Sequence, residues 1–332
     1  MRAARIVGRG TAYYHCMTRV IERKMLLDTG EKERFRKIMR KVAAFAGIEI
    51  LTYAALSNHL HILLQVPERV ELSEAEVMER ITGLYGRVRT ANVVMDLQKL
   101  REQDRHDEAA ALIYSYTHRM YDLSEYMKMV MQRFTQSYNR RHGRRGPLWE
   151  DRFKSILVEG TADAISTMAA YIDLNAVRAG LVEDPKGYRF CGYGEAVAGG
   201  REARRGMAHI AEILGQSGNW VTVSRTYRKY LFMQAGTHTK RGRTIREEKI
   251  EKVLDAGGKL SKADLLHCRV RYFSDGVVLG SKAFVEDVFA AHREEFGLKR
   301  KTGARKPKYG QWGDLCTMRD LRLDPVSLPK AA

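Results

Sequence analysis

Two histidines one residue apart open a short apolar run, Ser57-Asn58-His59-Leu60-His61-Ile62-Leu63-Leu64. Side chains at i and i+2 of a strand point to the same face. A strand here therefore carries both imidazoles on one side while Leu60, Ile62 and Leu64 pack on the other. That demands a sheet with one packed face and one face left for chemistry. Pro67, which cannot donate to a ladder, ends the run.

The neighbouring segments supply such a sheet. Residues 11–18 have the aromatic and β-tolerant content of a strand, and Gly30 to Gly47 reads as a helix with Phe35, Ile38, Val42 and Phe45 on one face. Ile48–Ala55 and His59–Val66 read as two strands joined by a turn at Ser57-Asn58, and Phe153–Val158 as a further strand followed by a helix over 161–178. The order suggests a β-α-β-β-α-β pattern and an antiparallel palm covered by helices. Between 70 and 141 lies a long insertion with little Gly or Pro, read as two or three helices. Its middle, Val93 to Met120, suits a solvated hairpin, whereas Met127, Val130, Met131 and Phe134 have the 3-and-4 spacing of core.

On the later helix Tyr171 and Asn175 are four residues apart and so neighbours on one face. Two imidazoles make half of a metal site. A phenol as nucleophile with an amide as third ligand would complete it, since a phenol of pKa about 10 needs a cation to polarise the phosphate it attacks.

With these residues in view, the His59-Leu60-His61 run resembles the histidine-hydrophobe-histidine motif of single-tyrosine (HUH) transposases, the IS200-like group. The segment Tyr171-Ile-Asp-Leu-Asn175-Ala-Val-Arg-Ala-Gly-Leu-Val182 resembles their nucleophile helix. Tyr138-Asn139-Arg140-Arg141-His142-Gly143 and Gly146-Pro147-Leu148-Trp149-Glu150-Asp151-Arg152-Phe153-Lys154-Ser155 are similar to the REP-associated tyrosine transposase branch. The resemblance covers roughly residues 8 to 195. It implies an α+β, ferredoxin-like or RRM-like HUH nuclease fold. The implied enzyme nicks and joins single-stranded DNA at hairpin-forming repeats through a 5′-phosphotyrosine, with Tyr171 as nucleophile and His59, His61 and Asn175 holding Mg²⁺ or Mn²⁺. Nitrogen ligands would suit zinc as well. Monomer and homodimer both stay open.

Competing readings accompany each residue. An isolated His-x-His can be two structural histidines, and a tyrosine in an apolar helix is usually core. Tyr138 rivals Tyr171 because His142 follows four residues later. Arg140, Arg141, Arg144 and Arg145 around two glycines, with Trp149, Arg152 and Lys154 beyond, are the expected DNA contacts. Trp149 could equally be a buried anchor of a solvated loop. At the level of function, a plasmid-type replication initiator or relaxase would share the histidine pair, and a non-catalytic regulator could keep the fold to bind repeats.

Charge supports a nucleic-acid partner. Lys and Arg number 58 against 40 Asp and Glu, a net +18. Residues 1–200 hold 31 basic and 25 acidic groups (+6), and 201–332 hold 27 and 15 (+12). The expected organisation is a catalytic domain over 1–195, a Gly- and Arg-rich linker over 196–210, and a small, mainly helical, helix-turn-helix-like basic domain over 211–332. Helices are expected at Arg246–Ala256, from Ser261 to His267 and at Lys282–Phe296, with a basic arm from Lys299 to Lys308. Cys16, Cys191, Cys268 and Cys316 are scattered, and no signal-like or membrane-spanning apolar stretch occurs, which fits a reducing cytoplasm.

Overall fold

The computed structural model describes residues 5–236, 276–297, 299–306 and 313–319. Four strands form the palm: β1 (Ala12–Arg19), β2 (Glu49–Ala55), β3 (His59–Val66) and β4 (Lys154–Val158). Their order, β2-β3-β1-β4 with every pair antiparallel, is that of the expected ferredoxin-like sheet. Period-2 alternation gives the sheet two distinct faces. Tyr14, Cys16, Leu60, Ile62 and Leu64 are buried on one, and His15, Met17, His59 and His61 lie on the other.

Helices α1 (Thr29–Ala46) and α5 (Leu123–Arg141) cover the apolar face. Asp28 caps α1 by accepting from the Glu31 amide at 2.7 Å, and Gly47, at φ 67°, ends it in the left-handed conformation that glycine adopts without penalty. Asp122 caps α5 in the same way. Phe35 meets Phe134 edge to face at 5.4 Å, and the Tyr126 hydroxyl donates to the Met39 carbonyl, so the two helices run antiparallel. Met127, Val130 and Phe134 are core as their spacing indicates, and Met131 is partly buried. Because α5 packs on the sheet, it is the second helix of the palm and not part of the insertion. The insertion is shorter: α2 (Glu74–Tyr85), capped by a Ser73–Glu76 box, and the hairpin α3 (Arg87–Glu102) and α4 (His106–Thr117).

The opposite face carries α6 (Ala162–Asp173), followed by the short α7 (Asn175–Arg178), α8 (Gly192–Val197), α9 (Arg201–Ile213) and α10 (Trp220–Gly236). Helix α9 corrects the expected linker at 196–210. Its Ala203, Gly206, Met207, Ile210 and Ala211 are buried, and Gly206 lets the helix rest directly on the Ile50 and Leu51 carbonyls of β2. Gly and Arg here are a close-packed face and its solvated reverse. Between these helices Asp173 is fully buried and accepts from the Thr52 hydroxyl (2.9 Å), the Tyr193 amide (3.0 Å) and the Tyr227 hydroxyl.

The chain beyond α10 also departs from expectation. Strand β5 (Gly276–Ser281) pairs parallel with β4, and β6 (Leu315–Arg319) pairs antiparallel with β5, so both extend the central sheet to six strands. Helix α11 (Lys282–Ala291) starts at the expected Ser281 cap but ends before Phe296. Glu159, just after β4, accepts from the Ser281 amide and hydroxyl at 2.6 and 3.0 Å. Residues 299–306 are not a free arm: Gly303 and Ala304 donate to Glu286, and Arg305 bridges to Thr317. The helices expected at 246–256 and 261–267, and the arm's Pro307 and Lys308, lie outside the described residues. Cys16, Cys191 and Cys316 are buried free thiols. Among the described residues no helix is long and apolar enough to cross a membrane.

Candidate active site

The register of the sheet assembles the site. His61 faces Met17 of β1 and Ala54 of β2, and Met17 in turn faces Lys154 of β4. Lys154, Met17, His61 and Ala54 thus form one row across the face that α6 covers, and His59 stands opposite Arg19 in the next row. The two imidazole centroids are 5.1 Å apart.

Each histidine is held at Nδ1. His59 Nδ1 lies 2.6 Å from Asn58 Oδ1, and His61 Nδ1 lies 2.9 Å from Nε2 of His15, a fully buried residue stacked on it. The Asn58 oxygen can only accept, so His59 donates from Nδ1 and its Nε2 lone pair remains for a ligand; His61 is in the same state when its Nδ1 is the donor to His15. Burial, reinforced by the cations Arg19 and Arg178, pushes His59 down to about 4. Burial and the neighbouring His15 and His59 push His61 well below the ordinary histidine range. Both rings are neutral at pH 7, the form that binds metal.

Tyr171, in the last turn of α6, reaches this pair. Its ring lies edge-on to His61 and to His15, 5.8 Å between centroids in each case. The Arg178 guanidinium sits 4.0 Å over the ring and also donates to the Tyr171 carbonyl. Asn175 is placed differently from a simple stacked neighbour. The helix breaks between Asp173 and Asn175, and the Asn175 amide nitrogen turns back to the carbonyls of Tyr171 (3.0 Å) and Ile172 (3.2 Å). Its donor is engaged, which leaves Oδ1 as the atom able to ligate. Among the described residues no group of three or more His, Cys, Asp or Glu is arranged for a metal, so a third protein ligand would have to be such an amide.

Tyr138 is on the other side of the sheet. It is buried on α5, stacks on His142 at 4.1 Å, and burial raises its pKa. Of the expected DNA contacts, Lys154 is exposed on the histidine face. Arg141 pairs with the buried Glu31, which also holds His142. Trp149 is only 9% exposed, lies against Phe134 and donates to the Met131 carbonyl, so the indole anchors its loop by packing. Arg140, Arg145 and Arg152 are exposed and Arg144 is half-buried. Sequence reasoning missed His15, Arg19 and Arg178. His15 and Arg19 become visible only through strand register, whereas Arg178 had a signal: it is seven residues from Tyr171 and three from Asn175, on one helical face.

Comparison with known proteins adds a similarity over part of the chain. No curated protein matches the chain. Among solved structures, a REP-associated tyrosine transposase bound to a REP hairpin is similar, with 16% identity over 60% of this chain and 87% of that one and a TM-score of 0.39. The family profile described as "Transposase IS200 like" matches residues 9–102, which hold β1, α1, β2, β3 and both histidines but not Tyr171 or Asn175. Over that stretch the chain is similar to the IS200-like transposases.

Proposed function

We propose that the protein is a metal-dependent single-strand DNA endonuclease and strand transferase acting at hairpin-forming repeats. The observation that carries this reading is the placement of Tyr171 edge-on to His61, whose Nδ1 is engaged by His15, on a palm whose first half matches the IS200-like transposases. The donor set fits a divalent ion: Nε2 of His59, Nε2 of His61 and Oδ1 of Asn175 would hold Mg²⁺ or Mn²⁺ with coordination positions left for phosphate oxygens. When bound, the ion would act as a Lewis acid on the scissile phosphate.

The residues divide the remaining work. The phenol oxygen of Tyr171 bonds to phosphorus as the bond from phosphorus to the 3′ oxygen breaks, giving a 5′-phosphotyrosine and a 3′-OH. The proton lost by the phenol is balanced by the one the 3′ oxygen gains. Arg178, stacked on the Tyr171 ring, together with Arg19 and Lys154 nearby on the same face, draws the phosphate to the nucleophile. The covalent link preserves the bond energy for later joining.

The test uses the full chain with an end-labelled hairpin carrying a single-stranded flank, in Mg²⁺ or Mn²⁺, resolved on a denaturing gel. Wild type gives a protein–DNA adduct and Tyr171→Phe gives none, with hairpin affinity within a few-fold. An adduct that survives Tyr171→Phe, or cleavage that persists in excess EDTA, overturns the assignment.

A further inference from the structure

The stretch that carries Tyr171, Asn175 and Arg178 has little regular structure of its own. Helix α6 ends at Asp173 and α7 is a single turn, Asn175–Arg178, and a one-turn helix does not hold its shape without tertiary support. The support comes from α10. Its buried Tyr227 donates to the Asp173 carboxyl, and the next residue, Arg228, pairs with Asp184 at 2.8 Å. Two adjacent residues of one helix thus tie the stretch down on both sides of Asn175 and Arg178. Arg228 also donates to the Tyr193 hydroxyl at 3.3 Å, and the Tyr193 and Tyr227 rings lie 5.6 Å apart, so the two ties are coupled.

The tie at Asp173 is a costly one for a fold that needs packing alone. The carboxyl is fully buried among neutral donors: the Thr52 hydroxyl of β2, 2.9 and 3.0 Å from its two oxygens, the Tyr193 amide of α8 at 3.0 Å and the Tyr227 hydroxyl. Burying a carboxyl costs more than burying an apolar side chain, and what a satisfied hub gives in return is one fixed arrangement of the groups around it. Thr52 is two residues from Ala54, the β2 member of the row that holds His61, so the hub takes its reference from the same face of the sheet as the histidines. Asp173 and Tyr171 are two residues apart, about 200° around a helix of 3.6 residues per turn. The hub therefore grips the back of the helix end whose front holds the phenol ring against His61 and His15.

We infer that Tyr227 and Arg228 are positioning residues: they fix the stretch from Asp173 to Asp184 against the sheet so that Tyr171, Asn175 and Arg178 meet the two histidines in register. The inference rests on the tyrosine chemistry proposed above. It makes α10, which lies outside the match over 9–102 and beyond the catalytic domain expected at 1–195, part of the catalytic body.

The test follows adduct formation by the full chain under single turnover, with saturating end-labelled hairpin and Mn²⁺, well below the Tm of each variant. Hairpin Kd is measured by fluorescence anisotropy and amide exchange by mass spectrometry. Tyr227→Phe and Arg228→Gln should each slow adduct formation about 10-fold, and the pair about 100-fold, the order expected when a reacting group shifts by about 1 Å. Kd should change less than about two-fold, and the amides of 171–182 should exchange faster while those of β1 and β3 stay as protected as in wild type. Val285→Ala, which truncates a buried side chain of α11, controls for lost stability: it should lower Tm without slowing the adduct. Unchanged adduct rates in both variants overturn the inference, whatever happens to Tm, as does a loss carried entirely by Kd or a Val285→Ala protein slowed as much. If wild type itself forms no adduct, the tyrosine chemistry falls, and the exchange of 171–182 alone decides whether α10 braces the stretch.

Discussion

Gly206→Ala is the sharpest test of how the molecule is built, because two lines of reasoning give opposite signs. In a solvated linker or an exposed helix, alanine would stabilise by about 0.4–1 kcal/mol through helix propensity and a stiffer unfolded chain. In the structure a Cβ at 206 would lie 2.4 Å from the Leu51 oxygen and 2.5 Å from the Ile50 oxygen. These are backbone atoms of β2 and cannot rotate away. Ordinary contact begins near 3.4 Å, so α9 must lift by about 1 Å. A gap of that size forfeits a quarter to a half of the dispersion energy across it. Met207 and Ile210, each worth roughly 1.5–3 kcal/mol when buried, would lose about 1–3 kcal/mol between them. After the propensity gain is subtracted, and the strain of an overpacked contact, typically about 1–3 kcal/mol, added, the expected net loss is about 1–5 kcal/mol. Urea unfolding followed by far-UV circular dichroism measures it. Trp220 fluorescence adds a local probe, since Arg204 of α9 lies 4.7 Å over that indole. A variant as stable as wild type, or more so, would refute the packing of α9 on β2.

Two further outcomes concern the site and its support. His15→Leu removes the hydrogen-bond partner of His61 Nδ1, and Mn²⁺ affinity by isothermal titration should fall roughly 10- to 100-fold while His15→Gln restores most of it; undiminished binding by the leucine variant would show that His15 does not orient the ligand. Burial raises the Asp173 carboxyl from 3.8 to about 6. The folded state then holds a proton that the unfolded chain has lost, so the stability it contributes is full below pH 4 and lost as pH rises through 6, by about 3 kcal/mol. Chemical denaturation from pH 4 to 7 should show the stability difference between wild type and Asp173→Asn narrowing by that amount, and a difference that stays constant would contradict the shift.

How much of this was legible in the sequence depended on the range of the signal. The histidine strand could be read because Leu60, Ile62 and Leu64 alternate with His59 and His61 and Pro67 closes the run. Helix α1 announced itself by its apolar stripe, and Phe134 by its spacing from Val130 and Met127. Tyr171 and Asn175 were paired by helical period, although the break at Leu174 turns the amide inward in a way that period alone does not convey. Long-range pairing was invisible. Strand β5 has its partner β4 more than a hundred residues away, and short apolar stretches such as Val277-Val278-Leu279 look alike whether or not a sheet edge is waiting. Helix α9 was hidden by composition, because glycine signals a linker and a tight packing surface equally well.

The isolated bridges of the sheet carry a consequence for self-association. A strand at a sheet's border exposes unpaired amides and carbonyls that can recruit another chain. Here β2, the first strand in order, is met on its outer side by Cys191 at Ala54, and β6, the last, is met by Arg305 at Thr317. The outer border of β4, where the palm would otherwise stop, is covered by β5 from the same chain. Each border is therefore engaged at least in part by the molecule's own backbone. Continuous strand addition between two copies would first have to displace these segments.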